Sequence, residues 1–138
     1  AHMRLKDPRR VGRWLLGGFL IIAGFSHFAN AEEFLAQVPS WLPWPEAVVA
    51  VSGAIELVLG AALFATPARY RHLLGWLVAG WFVVIFPGNI SQFVTGTPGF
   101  GLDTDLARFI RLLFQPVLVV WALWCAEIWP RPKRDDEA

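Results

Sequence analysis

Two charged residues lie inside stretches of the sequence that are otherwise apolar enough to cross a membrane. Glu56 lies within residues 47–64, and Arg111 lies within residues 106–129. An ionised side chain at bilayer depth costs roughly 3 kcal/mol, so it needs a partner, a wet cavity or a functional role. We predict that the two residues lie within reach of each other, directly or through one water. They would then bind a ligand or carry a proton, unless they form a buried ion pair that only fixes helix register.

Other polar side chains are expected near the same depth. His27 and Asn89 lie in the two remaining apolar segments, while Arg108, Arg111 and Gln115 are spaced to share one face of a helix. A hydrogen-bonded structural histidine, and interhelical hydrogen bonds from the two amides, are the alternatives. The candidate ligand-binding residues are therefore His27, Glu56, Asn89, Arg111 and Gln115, together with Trp41 and Trp44 from a neighbouring loop.

Several kinds of chemistry are disfavoured by the residues present. A metal site is not expected, because His27 and Glu56 would supply only two ligands and Arg111 would repel a cation. Cys125 is the only cysteine, which excludes an intrachain disulfide or dithiol relay. No flavin, haem or nucleotide motif is present, so a redox reaction would need electrons from a partner subunit. The catalytic residues stay unassigned, and the sequence favours a chain that is not an enzyme in isolation.

The candidate residues must be positioned by membrane-spanning helices. Of the 138 residues, 56% are hydrophobic and 17% are charged, with a mean hydropathy of +0.48. This composition is too apolar for a soluble domain, and about 20 apolar residues span a bilayer as a helix. The first segment also fits a secretory signal peptide ending at Ala29-Asn30-Ala31. We predict one all-α transmembrane domain over residues 1–138, a four-helix bundle with spans at 12–28, 45–65, 72–93 and 106–129.

Basic residues are distributed unevenly between the two ends of these segments. Ten of the twelve Lys and Arg residues lie before or at the start of the first segment, between the second and third, or after the fourth. The other two are Arg108 and Arg111, and the two remaining connections carry acidic residues without Lys or Arg. The positive-inside rule therefore places both termini in the cytoplasm. Glu56 then lies near the middle of the membrane, about 15 Å below the outer interface.

The outer connection at residues 31–45 is rich in proline and aromatic residues. Its prolines prevent a continuous helix, and Trp41 and Trp44 favour the membrane interface. We predict a short interfacial loop that is either a lid or an aromatic anchor, with a ligand-sized cavity beneath it. Pro87 and Pro116 predict kinks in the third and fourth helices at the depth of this cavity.

Five short motifs lie along the chain: A-G-x-x-H-F at 23–28, V-P-x-W-L-P at 38–43, S-G-x-x-E-L at 52–57, F-P-x-N-I at 86–90, and R-x-x-x-Q at 111–115 followed by Trp121. Together they resemble the DoxX-like family of small four-helix membrane proteins. The resemblance covers residues 12–127 and implies a four-helix fold in the inner (plasma) membrane. It implies function only loosely, because relatives are associated with a thiosulfate:quinone oxidoreductase, oxidative stress complexes, disulfide metabolism or assembly of other membrane proteins. A single cysteine is unlike a thiol-exchanging member of that family.

Three functions fit these observations. The first is binding of a lipophilic small molecule, with a quinone as the leading candidate, because quinone carbonyls accept hydrogen bonds from Arg111, His27 or Gln115. Such a chain would be an accessory subunit of a membrane redox system. The second is a non-catalytic chaperone or assembly subunit that holds another membrane protein. A transporter is less favoured, because four helices without an internal repeat provide little for alternating access.

The expected partners follow from the same features. They are the lipid bilayer, the lipophilic small molecule, and either another membrane protein or further copies of the chain. We expect no nucleic-acid partner.

Overall fold

Four helical segments that are long and apolar enough to cross a membrane dominate the fold. The structure is a computed structural model that describes residues 7–35, 38–95 and 104–131, and within these ranges it contains helices but no strand. The predicted all-α membrane architecture is thereby confirmed. The helices are α1 (Pro8–Ala29), α2 (Ala31–Leu35), α3 (Pro45–Ala65), α4 (Arg71–Val84), α5 (Phe86–Thr95) and α6 (Asp105–Cys125), with a 3₁₀ turn at Ala68–Tyr70.

The third segment is interrupted at Ile85, which separates α4 from α5. Pro87 follows two residues later and has no amide hydrogen to donate within a helix. We predicted a kink at Pro87, and the structure has a break between two helices at this place. The side-chain amide of Gln115 donates to the carbonyl oxygen of Phe82 at 2.5 Å. This bond ties the break to α6. Pro116, by contrast, lies inside α6 without ending it.

The end of α6 differs from the predicted boundary at residue 129. Glu127 adopts a left-handed backbone conformation with φ of 64°. The amides of Glu127 and Ile128 then donate back to the carbonyls of Trp124 and Leu123, which is the Schellman pattern that terminates helices. The apolar composition continues past this cap, so hydropathy alone extends the span too far.

The helices pack as two pairs. Helix α1 packs mainly against α3, and α4 and α5 pack mainly against α6, while α1 and α6 join the pairs and α3 contacts α4 only sparsely. The α1–α3 contact is close because glycines face each other: a Cβ atom at Gly24 would lie 2.8 Å from the Gly53 carbonyl oxygen, and one at Gly60 would lie 2.8 Å from that of Gly17. Small residues permit such backbone approach.

Arginines from α1 hold the C-terminal end of α6. Arg9 donates to the carbonyl oxygens of Trp124 at 2.7 Å and Pro130 at 2.8 Å, and Arg13 donates to that of Cys125 at 2.9 Å. These cations donate to carbonyl oxygens in and just beyond the last turn of α6, at the negative end of the helix dipole. We call this the basic end of the bundle. The opposite end, which carries α2 and residues 38–44, is the α2 end.

Candidate functional site

A cavity of about 470 Å³ lies between the two helix pairs, toward the α2 end. Its walls are mostly apolar, and three side chains that can carry charge border it: His27 from α1, Glu56 from α3 and Arg111 from α6. Residues of α2, α4, α5 and the segment 38–42 complete the wall. The expected cavity beneath the proline-rich loop is therefore present. Its volume and its mixture of apolar walls with few polar groups are typical of small-molecule sites.

Glu56 bridges two helices within the cavity wall. Its Oε1 atom lies 3.2 Å from Nε2 of His27, and its Oε2 atom accepts a hydrogen bond from the Trp81 indole at 3.0 Å. Both His27 and Glu56 are buried, with 7% and 5% of their surface exposed. Within the described part of the chain, Nε2 of His27 is the polar atom that Oε1 contacts.

The opposite edge of the His27 ring is held by α3. Its Nδ1 atom lies 2.9 Å from the Ser52 hydroxyl and 3.1 Å from the Val49 carbonyl oxygen. The Ser52 hydroxyl in turn donates to the same carbonyl at 2.9 Å. The ring of Phe34 lies against His27 with a centroid distance of 3.9 Å. A carbonyl oxygen can only accept, so the contact with Val49 is a hydrogen bond when Nδ1 carries the hydrogen.

The side chain of Arg111 forms a hydrogen bond within its own helix, α6. One guanidinium nitrogen donates to the side-chain oxygen of Gln115 at 3.0 Å, and Gln115 is itself buried and bonded to Phe82. The charges of Arg111 and Glu56 interact electrostatically. We predicted that the two side chains meet directly or through one water. Among the described residues no direct ion pair joins them, and His27 and Trp81 contact Glu56 instead; contact through one water stays a prediction.

The guanidinium of Arg111 keeps hydrogen-bonding capacity toward the cavity. Among the described residues, Gln115 is the acceptor it reaches, whereas a guanidinium carries five N–H donors. Arg111 therefore borders an apolar cavity with donors that a bound oxygen atom can satisfy.

The family of the chain is shown by its sequence. A family model with the description "Domain of unknown function (DUF8561)" matches residues 16–126. The chain belongs to the DUF8561 family. No curated protein and no solved structure matches the chain significantly. The matched range contains every residue of the cavity wall. The resemblance to DoxX-like proteins stays a prediction.

The remaining predicted residues of this DUF8561 site lie in different places. Trp41 borders the cavity, whereas Trp44 does not and instead precedes α3 with a positive φ of 51°. Gln115 lies behind the wall and supports Arg111. Asn89 belongs to α5, next to Gly88 of the cavity wall, and its side chain lies outside the described part of the structure.

Arg108, which shares a predicted helix face with Arg111 and Gln115, is buried. One of its guanidinium nitrogens donates to Asp105 at 2.9 Å. It is absent from the cavity wall that the structure describes.

Sequence reasoning missed two residues of the DUF8561 site, Trp81 and Ser52. Trp81 lies in the middle of an apolar segment, whereas tryptophan in membrane proteins concentrates at the interfaces. A buried indole N–H also requires an acceptor, so its position was a usable signal for a polar partner at the same depth. Ser52 precedes Glu56 by one helical turn and therefore shares its face.

Proposed function

We propose that this membrane protein binds a lipophilic small molecule that carries a hydrogen-bond-accepting oxygen, with a quinone as the leading candidate. The cavity of about 470 Å³ supports the proposal most directly. Its walls are mostly apolar, Arg111 brings hydrogen-bond donors to it, and the His27–Glu56 pair borders it. Apolar walls favour a ring or hydrocarbon, and a few convergent polar groups orient it.

The charges around the cavity favour an electronegative ligand head. When His27 Nδ1 donates to Val49, one proton is needed between Nε2 and the Glu56 carboxylate, which lie 3.2 Å apart. The pair is then neutral as a whole, whether the proton is held on the imidazole or on the carboxyl. Arg111 remains as the positive charge of the cavity, and a quinone carbonyl or its reduced, anionic form would accept from it.

The same pair suits proton exchange with a bound quinone. Reduction of a quinone to a hydroquinone takes two electrons and two protons, and His27 and Glu56 are the ionisable groups at the cavity that could pass a proton. The electrons would come from a partner subunit, since the sequence has no motif for a redox cofactor. We therefore place the chain as an accessory, DoxX-like subunit of a membrane redox system.

The proposed orientation follows the distribution of charge. We place the protein in the inner (plasma) membrane with both termini in the cytoplasm. The basic end then faces the cytoplasm, and the cavity lies in the outer half of the bilayer. Residues 38–42 would then cover the cavity from the outer surface.

A ligand titration tests the proposal. A water-soluble quinone analogue should stabilise the purified protein by about 2.7 kcal/mol at a hundredfold excess over its Kd. Arg111→Leu should remove the response, measured as the shift in Tm, while Arg69→Leu should retain it because Arg69 is exposed on the basic end. An equal shift in the Arg111→Leu protein, or none in the native protein, would contradict the proposal and favour the assembly-subunit role.

A further inference from the structure

A shallow apolar groove on α3 adjoins the cavity. It has a volume of about 300 Å³ and is lined by Val51, Ala54, Ile55, Val58 and Leu59. Val51 and Ile55 also belong to the cavity wall. The groove spans residues 51–59 of one helix, a length of about 12 Å. The two shared residues place the groove next to the cavity, along the same side of α3.

The cavity reaches the surface of the bundle between α3 and α4. Val51 on α3 is 59% exposed and Val84 on α4 is 67% exposed, and both line the cavity. These two consecutive helices pack against each other only sparsely. Both belong to segments suited to crossing a membrane, where an exposed apolar side chain faces lipid tails. The opening between them therefore leads sideways into hydrocarbon.

We infer that the groove holds the hydrocarbon tail of the molecule whose polar head occupies the cavity. This inference rests on the proposed function and names the ligand class, an amphiphile with an oxygen-bearing head and a long apolar tail. The all-apolar lining of the groove suits a tail and offers a polar head no partner. The polar groups that suit a head, His27, Glu56 and Arg111, all lie on the cavity side. Such a ligand would enter from the bilayer and never leave it completely.

Photolabelling in lipid nanodiscs tests where the tail lies. The probe is a quinone whose alkyl tail carries a diazirine, and the reference probe is the same diazirine alkane without the head. Peptide mass spectrometry should find residues 51–59 labelled several-fold more by the quinone probe than by the alkane, which should label all lipid-facing helices alike. Identical labelling patterns from the two probes would overturn the inference.

A matched pair of substitutions on α3 sharpens this test. Ala54→Trp fills the groove and should abolish the enrichment at residues 51–59, whereas Ala65→Trp, at an exposed position of α3 beyond the groove, should preserve it. A tail-less quinone should still raise the Tm of the Ala54→Trp protein. If Ala54→Trp keeps the enrichment, the tail does not lie in the groove.

Two further outcomes separate this inference from the proposed function. Stabilisation by a tail-less quinone combined with uniform labelling would overturn only the tail site. Loss of the enrichment on adding a fatty acid, but not on adding an unlabelled tailed quinone, would support the tail site and overturn the quinone as its ligand.

Discussion

Glu56 is held from two sides within a membrane-spanning segment, by His27 of α1 and by Trp81 of α4. A buried carboxyl group depends on its donors, because an unsatisfied buried polar group costs about 1–3 kcal/mol. The indole N–H of Trp81 therefore stabilises the carboxyl group of Glu56 in the wall of the cavity.

Replacing Trp81 tests this contact at the scale of one residue. Trp81→Phe should lower the free energy of unfolding by about 1–3 kcal/mol, because Oε2 of Glu56 loses its donor. Trp76→Phe is the matched control, since Trp76 lies on the same helix but is exposed. Denaturant titration in one detergent measures both variants. Equal stability of the two proteins would mean that the indole N–H is not needed.

The sequence predicts the depth of Glu56 but not its partner. Hydropathy and helical spacing place His27, Glu56 and Arg111 in one layer, and the structure brings all three to one cavity. Which of these side chains touch depends on the rotation of each helix about its axis. The glycine contacts between α1 and α3 fix that rotation, and they form only when the helices pack. The hydrogen bond from Arg111 to Gln115 also holds the Arg111 side chain against its own helix, α6.

At the scale of helices, the α1–α3 contact sets the geometry of the site. Gly24 and Gly53 meet at the level of the cavity, and His27 and Glu56 each lie three residues beyond one of these glycines. Close backbone approach at the glycines brings the two side chains together. This pairing was visible in the sequence only as small residues on one face of each helix. The break at Ile85 was more predictable, because Pro87 requires it locally.

A pair of glycine substitutions on α1 tests the role of this contact. Gly24→Ala should destabilise the protein by about 1–3 kcal/mol, because its Cβ atom would lie 2.8 Å from both the Gly53 carbonyl oxygen and Leu57 Cγ. Gly18→Ala should be neutral or slightly stabilising, because nothing lies within 4 Å of the added atom. Thermal unfolding of both variants measures the difference. A Gly24→Ala protein as stable as the Gly18→Ala protein would show that α1 and α3 are farther apart.

At the scale of the whole molecule, the two ends of the bundle differ in charge and in structure. Arginines at the basic end hold the terminus of α6 by hydrogen bonds to its carbonyls, so the residues that predict orientation also fasten the helices together. The α2 end carries the aromatic residues that cover the cavity. The sequence predicts this division from loop charge alone, but it does not predict that the arginines reach back to α6.

Cysteine accessibility tests the proposed orientation. In intact cells with an accessible outer surface of the inner membrane, a membrane-impermeant maleimide should label Ser40→Cys and should label Arg69→Cys only after lysis. Cys125 is fully buried and should stay silent, so it need not be replaced. Labelling of both variants from the same side would contradict a structure in which the two positions lie at opposite ends.

The occupant of the cavity can be measured directly by native mass spectrometry of the protein extracted in its own lipids. The native protein should retain one molecule with the mass of a membrane quinone. Arg111→Leu should lose that mass, and Arg69→Leu should keep it. A native protein that carries only phospholipids, or a quinone retained equally by the Arg111→Leu protein, would contradict a ligand site built around Arg111 and the His27–Glu56 pair.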